Sequence, residues 1–336
     1  MIRVLLILDR PGWAFDAIAK ALLGNPVGDE VEFGVAYLKD TTRPLAEVSR
    51  DYDAYFAMHW SLLADLDPPW YLRRFRSRKP STVTHLRERF SFLEPSRTIT
   101  GIHGHHDWDE RRTDPGSYVP PPAPLVEFLA RYRGVNAVSQ RLAQLFREAG
   151  LDGVAYTPNG VDHKAFTSVE PLSSSGPLRV CYAGTKKRDW KEGISEFIEP
   201  LRQVSWLDVR IAMPEEGCYV PHEKMPRFYN ASDVYVCASR SEGFSLAVLE
   251  AAACGRPIVT TPVGGCEELI QDGVNGFFIE RRLESITARL AELHEDRQLL
   301  RRMGAQSRAE IEAKWTWEIC AARWHRFIRS SLGLPT

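Results

Sequence analysis

One stretch of the sequence places two carboxylates around an apolar, alanine-rich run. Residues 241–255 read SEGFSLAVLEAAACG, so Glu242 precedes the run and Glu250 lies within it. The run has high helix propensity, and Ser245 is a favourable cap for its first turn. If the helix begins near Leu246, Glu250 lies about 6 Å along the axis from a set of unpaired backbone N–H groups. This pattern predicts an anion site flanked by two carboxylates, suited to a phosphate whose two ends carry hydroxyl groups, as in a nucleoside diphosphate sugar.

The composition is that of an ordinary globular protein with about two domains. The 336 residues are 26% charged and 44% hydrophobic, with a net charge of −1. These values exclude a disordered chain and a globally basic nucleic-acid binder. The apolar run before Asp9 is too short for a signal peptide or a membrane span, and it predicts a buried strand. The six cysteines form no CxxC pair, which predicts reduced thiols in a cytoplasmic protein.

Short β-rich apolar runs alternate with helical stretches along the chain. A first series contains six such runs, at 2–8, 31–38, 52–60, 98–104, 135–139 and 153–162. After the Ser- and Pro-rich stretch 167–178, which is typical of a linker, a second series contains five, at 178–184, 207–213, 233–239, 256–261 and 275–279. The alternation predicts the α/β class, with two doubly wound parallel sheets covered by helices. Ligands of such sheets bind beyond the carboxyl ends of the strands, so we expect the active site in the cleft between the halves.

The second half resembles the retaining glycosyltransferases of family 4, which have the GT-B fold. The resemblance is an ordered series of segments rather than one motif. It comprises PNGVDHKAF (158–166), YAGTKKRDWKEG (182–193), the long stretch 231–270 with its Glu-x7-Glu element, and DGVNGFFI (272–279). It covers about half of the chain and implies two Rossmann-like domains, at 1–166 and 167–316, with a C-terminal helix at about 317–336 that packs back on the first.

The resemblance implies a role for each matched residue. Glu242 would contact the donor sugar and Glu250 the ribose hydroxyls. The residues that would line the sugar and phosphate pocket are Gly184, Gly243, Phe244, Ser245 and Leu246. Thr185 stands where the family normally has an arginine, so Lys191 and Arg188 are the residues expected to hold the diphosphate. Their positive charge would stabilise the leaving diphosphate without a metal or another cofactor.

The acceptor side is expected in the first half. His103 follows a strand where the family often has a histidine, and it would hydrogen-bond the transferred sugar, with His106 and Asp107 near the acceptor. Gly12 and Trp13 lie in the turn after the first strand, and Trp13 either stacks on a sugar or covers an apolar edge. The stretch HGHHDWDE (103–110) could instead hold a metal ion, and a structural role for His105 is the third interpretation.

The sequence also concentrates positive charge beside aromatic residues at PPWYLRRFRSRK (68–79). The five basic residues from Arg73 to Lys79 are either a solvated helix face or a contact with an anionic membrane or acceptor. Under the second interpretation, the protein is expected in the cytoplasm and also in peripheral association with the inner face of the membrane.

Taken together, these features predict a metal-independent, retaining transfer of a hexosyl group from a UDP- or GDP-linked sugar to a saccharide or glycolipid hydroxyl. Two alternatives stay open: a non-catalytic nucleotide-sugar-binding subunit, and an epimerase or phosphorylase of the same fold. A dinucleotide-dependent dehydrogenase is disfavoured, because no GxGxxG follows the first strand of either half.

Overall fold

A computed structural model describes residues 1–38, 45–64, 92–105, 108, 115, 117–215 and 217–335. The strands in this part of the chain are β1 (Ile2–Leu8), β2 (Val31–Tyr37), β3 (Ala54–Ala57), β4 (Thr98–Ile102), β5 (Gly134–Ala137), β6 (Ala155–Tyr156), β7 (Leu178–Ala183), β8 (Leu207–Ala212), β9 (Val234–Cys237), β10 (Ile258–Thr260) and β11 (Gly276–Phe278). The α-helices are α1 (Ala14–Gly24), α2 (Leu45–Val48), α3 (Trp60–Ala64), α4 (Ala123–Ala130), α5 (Gln140–Glu148), α6 (Asp189–Glu192), α7 (Met225–Asn230), α8 (Leu246–Ala253), α9 (Cys266–Leu269), α10 (Leu283–Glu295), α11 (Arg297–Lys314) and α12 (Trp317–Ser331).

The described strands form two parallel sheets. The first has six strands in the order β2-β1-β3-β4-β5-β6, and the second has five in the order β11-β10-β9-β7-β8. Each of the eleven apolar runs picked out in the sequence overlaps one of these strands, which confirms the predicted α/β class with two doubly wound sheets. The runs are apolar because both faces of a parallel sheet are covered by helices, as in β1, where Val4 to Leu8 are all buried.

The chain divides into two compact units. Unit one contains residues 1–103, 120–158 and 321–336, and unit two contains residues 104–119 and 159–320. The domain boundaries predicted after residues 166 and 316 stay predictions.

The C-terminal tail is helical, as its amphipathic pattern predicts. Trp324 and Ile328 are fully buried in unit one, where the indole N–H of Trp324 donates to the carbonyl of Pro158 at 2.8 Å. Ile319 of the same helix is exposed, so its side chain is not part of this buried stripe.

The predicted linker 167–178 has no regular secondary structure, but side chains of unit two hold it in place. Asn230 Oδ1 accepts the N–H groups of Val169 and Glu170 at 3.0 and 3.2 Å. Asp233 Oδ1 accepts the N–H of Ser173 at 2.7 Å. Hydrogen bonds to buried side chains therefore satisfy this backbone, and the segment is part of the unit rather than a free tether.

All six cysteines are free thiols, and all but Cys218 are buried, in agreement with the reduced core thiols expected from their spacing.

None of the helices in the described part of the chain combines the length and apolar character needed to cross a bilayer.

Candidate active site

The helix predicted from residues 241–255 is α8. It begins at Leu246, and the hydroxyl of Ser245 caps it by accepting the N–H of Val248 at 3.4 Å. Among the described residues, no hydrogen bond uses the N–H groups of Gly243, Phe244 or Ser245. These groups precede a helix N-terminus, so they are oriented as donors for an anion.

Strand order brings three loops of unit two together. In the five-stranded sheet β7 and β10 are the two neighbours of β9, and all three strands run parallel. Their carboxyl ends therefore lie at one edge. The segment after β7 contains Lys191 in the short helix α6, the loop after β9 contains Glu242, and the loop after β10 contains the Gly264–Gly265 pair. Residues far apart in the sequence become neighbours at this edge.

Lys191 and Glu242 form a buried ion pair. The ammonium nitrogen of Lys191 lies 3.0 Å from Oε1 of Glu242, and the Lys191 side chain is only 3% exposed against 16% for Glu242. The backbone reinforces the pairing, because the N–H of Arg240 donates to the carbonyl of Lys191 at 2.8 Å. Lys191 and Glu242, which were predicted separately, thus form one ion pair, and each offsets the charge of the other in a buried environment.

Two glycines after β10 allow the Glu242 loop to lie close against the sheet edge. A Cβ on Gly264 would stand 2.4 Å from the carbonyl oxygen of Glu242, and one on Gly265 would stand 2.1 Å from the ring of Phe244. The N–H of Gly265 donates to the carbonyl of Gly243 at 2.8 Å. Gly264 also has a φ of +49°, which a side chain disfavours. No role was predicted for this pair, although a GG dipeptide in the loop after a strand is a visible signal in the sequence.

A second carboxylate lies beneath the loop that follows β7. Glu192 is buried and accepts hydrogen bonds from the hydroxyl of Tyr182 and from the N–H of Thr185, the latter at 3.0 Å. Burial raises the pKa of Glu192, and the charge of Glu242 acts in the same direction, whereas Lys191 and the two hydrogen bonds oppose the shift. A Cβ on Gly184 would stand 2.2 Å from the Glu192 carboxylate, so only glycine leaves room for this arrangement.

Glu250 lies in α8 with its carboxylate held from two sides. Its Oε2 accepts a hydrogen bond from the hydroxyl of Tyr229 at 2.9 Å, and its Oε1 lies 3.0 Å from Nε2 of His222. Tyr229 is fully buried, and burial together with the charge of Glu250 raises the pKa of its phenol well above the usual value. The His222 side chain is 60% exposed. One oxygen of Glu250 is therefore bound by a buried hydroxyl, whereas the other faces an exposed side chain.

The other basic residues that follow β7 differ from Lys191 in exposure and in their partners. Arg188 and Lys187 are exposed, and the ammonium of Lys186 lies 2.7 Å from a carboxylate oxygen of Glu199. Lys191 is thus the buried cation among the four. Arg188, the second residue expected to hold the diphosphate, points its charge toward solvent without a carboxylate partner among the described residues.

The segment 117–119 contributes a tyrosine to unit two that the sequence analysis missed. The hydroxyl of Tyr118 donates to the carboxylate of Glu267 and accepts the N–H of Gly264 at 3.4 Å. His105 packs edge-on against the ring of Tyr118, with ring centroids 5.1 Å apart, and is buried. The structural interpretation of His105 therefore agrees with its environment. His106 and Asp107 lie outside the described residues.

In unit one, the carboxyl ends of β1, β3 and β4 bring a different group together. The ring of His103 contacts that of Phe15, with centroids 4.8 Å apart, and lies 6.1 Å from that of His59. Gly12 has a φ of +73°, and its N–H donates to the buried carboxylate of Asp16 at 2.7 Å. The Trp13 ring is partly exposed beneath the guanidinium of Arg10, which lies 3.1 Å from its centroid. His59 is the addition here that the sequence analysis did not single out.

Comparison with known proteins agrees with this reading of unit two. Residues 218–310 match the family described as Glycosyl transferases group 1. The matched region contains Glu242, Glu250 and the Gly264–Gly265 pair. Among curated relatives, an uncharacterised glycosyltransferase of Methanocaldococcus jannaschii is 31% identical over 99 residues, or 29% of this chain and 28% of that protein.

A second relative is aligned over a longer region. A GDP-mannose-dependent monoacylated alpha-(1-6)-phosphatidylinositol monomannoside mannosyltransferase of Corynebacterium glutamicum is 25% identical over 216 residues, or 52% of this chain and 56% of that protein. The chain therefore spans little more than half of this relative and less than a third of the Methanocaldococcus one.

Solved structures extend the likeness to the whole fold. HepE of Anabaena, in complex with UDP and glucose, has a TM-score of 0.65 at 15% identity, with 97% of this chain and 99% of that chain covered. Sucrose-phosphate synthase of Thermosynechococcus elongatus has a TM-score of 0.67 at 16% identity, with 99% and 100% covered. The predicted GT-B fold is confirmed. The family match supports the predicted glycosyltransferase assignment, whereas family 4 and the Glu-x7-Glu element stay predictions.

Proposed function

We propose that this chain transfers a hexosyl group from a nucleoside diphosphate sugar to a hydroxyl of a saccharide or glycolipid, with retention at the anomeric carbon. The observation that carries the proposal is the buried Lys191–Glu242 pair beside the uncommitted N–H groups of Gly243 to Ser245. A leaving diphosphate gains negative charge as the glycosidic bond breaks. A desolvated ammonium and a helix N-terminus both stabilise that charge most strongly in the transition state.

Each residue of the site has a defined part in this proposal. Lys191 would hold the diphosphate with help from Arg188, and Glu242 would accept hydrogen bonds from the donor sugar. Glu250 would accept the ribose hydroxyls through the oxygen that faces His222, while Tyr229 fixes the other oxygen. The backbone of Gly184 and Leu246 would complete the pocket. The donor's own phosphate would deprotonate the acceptor on the face from which it departs, so the protein mainly positions and stabilises.

The acceptor side of the proposal comprises Gly12, Trp13, His103, His106 and Asp107. A saccharide or glycolipid hydroxyl as the acceptor is supported by the Corynebacterium relative, which is named a phosphatidylinositol monomannoside mannosyltransferase. Contact with an anionic membrane through Arg73–Lys79 is part of the same proposal, and those residues lie outside the described part of the chain.

The first test is a screen of nucleoside diphosphates by thermal shift. We expect UDP or GDP to raise the melting temperature, since a ligand at 100 times its dissociation constant adds about 2.7 kcal/mol to the free energy of unfolding. ADP and TDP serve as comparisons. The sugar-linked form of the stabilising nucleotide is then followed by NMR for slow hydrolysis. Stabilisation without hydrolysis or transfer would indicate the non-catalytic subunit, and stabilisation by none of the four would contradict the proposal.

Glu250→Ala is expected to weaken binding of that nucleotide by about 1–3 kcal/mol, because the ribose hydroxyls lose their acceptor in a confined site. Isothermal titration calorimetry on the folded variant measures the change. Glu284→Ala, which removes an exposed acid at the start of α10, is the matched control and should bind as the wild type does. Equal affinities for the two variants would remove Glu250 from the donor site.

Activity is expected to survive chelation. The charge of Lys191 and the N–H groups before α8 would offset the diphosphate without a divalent ion. Transfer or donor hydrolysis is measured after dialysis against EDTA and again after Mg²⁺ or Mn²⁺ is added. Loss of activity that either ion restores would favour the metal interpretation of HGHHDWDE instead.

A further inference from the structure

Unit one contains a cleft at the amino ends of its last two strands. Its volume is about 620 Å³, and its walls are the starts of β5 and β6 and the last turns of α12. It lies at the edge of the sheet opposite the carboxyl ends that carry His59 and His103. The lining residues that carry polar groups are Arg133, Tyr156, Arg323, Arg326, Ser330 and Ser331.

The cleft has three guanidinium groups and no carboxylate among its lining residues. Arg133 is oriented by neutral acceptors, because its Nε donates to the carbonyl of Ser331 and its Nη1 donates to that of Ser96 at 3.3 Å. The guanidinium of Arg323 lies over the ring of Tyr156, 5.4 Å from its centroid. These contacts position Arg133 and Arg323 without neutralising their charge.

Within the described part of the chain, none of the three arginines forms an ion pair. By contrast, Arg329 lies one turn further along α12 and forms an ion pair with Glu30. Arg323 and Arg326 are three residues apart on one helix face, where like charges repel each other. An anion between them would remove that repulsion.

The backbone shapes the cleft around this charge. A Cβ on Gly134 would stand 2.2 Å from the hydroxyl oxygen of Ser331, so a glycine is required for the end of α12 to approach the start of β5. A Cβ on Gly153 would meet nothing within 4 Å, which leaves that wall open. The hydroxyls of Ser330 and Ser331 add neutral donors beside the guanidinium groups.

We propose that this cleft binds a phosphate-bearing anion, with a phosphate monoester or diphosphate group held by Arg133, Arg323 and Arg326. Guanidinium groups match phosphate oxygens in a bidentate geometry. The cleft of about 620 Å³ has room for an organic part beside the phosphate. A soluble phosphorylated compound and a lipid headgroup share this chemistry. The site belongs wholly to unit one and does not depend on the proposed donor site.

Inorganic phosphate is the probe, and amide NMR of the full chain is the readout. We expect titration to shift the resonances of Gly134 and Gly153, which report on this cleft and not on unit two. In the Arg323→Gln/Arg326→Gln double variant the affinity should fall at least about tenfold, since two charge-assisted contacts are lost. The control double variant Arg301→Gln/Arg302→Gln removes the same charge from an exposed part of α11 and should titrate as the wild type does.

Unchanged affinity in the Arg323→Gln/Arg326→Gln variant, or no shifts at Gly134 and Gly153 in the wild type, would overturn the proposal. Arg133→Gln provides a second variant on a different element and should weaken the same shifts. Co-sedimentation with phosphatidylglycerol and phosphatidylcholine vesicles identifies the source. Binding to the anionic vesicles that is lost in Arg323→Gln/Arg326→Gln but kept in Arg301→Gln/Arg302→Gln assigns a lipid headgroup, and phosphate shifts without vesicle binding assign a soluble ligand.

Discussion

Replacing Lys191 with methionine is expected to lower turnover by about 10²–10³-fold, comparable to the loss of one preorganised donor to a developing negative charge. The ammonium group is almost fully buried and lies 3.0 Å from Glu242. Methionine has nearly the same length and fills the same space, so the change removes the charge and leaves the packing largely intact.

The measurement is donor hydrolysis or transfer with the nucleotide sugar identified by the thermal-shift screen. Lys187→Met is the matched control, because Lys187 lies on the same loop but is exposed. It should retain wild-type turnover. A melting curve for each variant separates loss of turnover from loss of folding, since Glu242 also loses its partner in Lys191→Met. Turnover of folded Lys191→Met equal to that of Lys187→Met would remove Lys191 from the reaction.

The second large effect concerns stability. Arg256→Leu is expected to lower the free energy of unfolding by about 3–5 kcal/mol, because three backbone carbonyls lose their donor at a cost of about 1–3 kcal/mol each. Arg256 is fully buried, and burial lowers the pKa of its guanidinium. Its donors reach four oxygen acceptors: the carbonyls of Cys254 (2.9 Å), Ser232 (2.7 Å) and Glu170 (2.7 Å), and the side-chain oxygen of Asn230 (2.9 Å).

These four contacts join the end of α8, the segment after α7 and the stretch 167–178. Chemical denaturation followed by circular dichroism measures the loss, and Arg301→Leu on the exposed face of α11 is the control. A change below about 1 kcal/mol in Arg256→Leu, the size of an ordinary surface substitution, would show that the carbonyls find other donors.

The strands and the capped helix of the site could be predicted because their causes are local. Apolar runs bounded by glycine, proline and polar residues mark the eleven strands, whichever neighbour each strand has in its sheet. The start of α8 at Leu246 follows from Ser245 and the alanine-rich run that comes after it. The Glu-x7-Glu spacing likewise places one carboxylate before this helix and one within it.

The partners of those residues could not be predicted, because they come from distant parts of the chain. The sequence contains no local signal that Tyr229 and His222 meet Glu250, or that Tyr118 meets Glu267. The stretch 167–178, predicted as a linker, is likewise held by side chains that are distant in the sequence, namely those of Asn230, Asp233 and Arg256.

The sequence by itself therefore determined the α/β class, the eleven strands and the identity of the charged residues that could bind a diphosphate. The tertiary structure alone decided that Lys191 and Glu242 form one buried pair. The reason is strand order, because β7 lies beside β9 although β8 separates them along the chain, and β10 adds Gly264 and Gly265 on the other side. Strand order arises from long-range packing and crossover connections, which residue spacing along the chain does not specify.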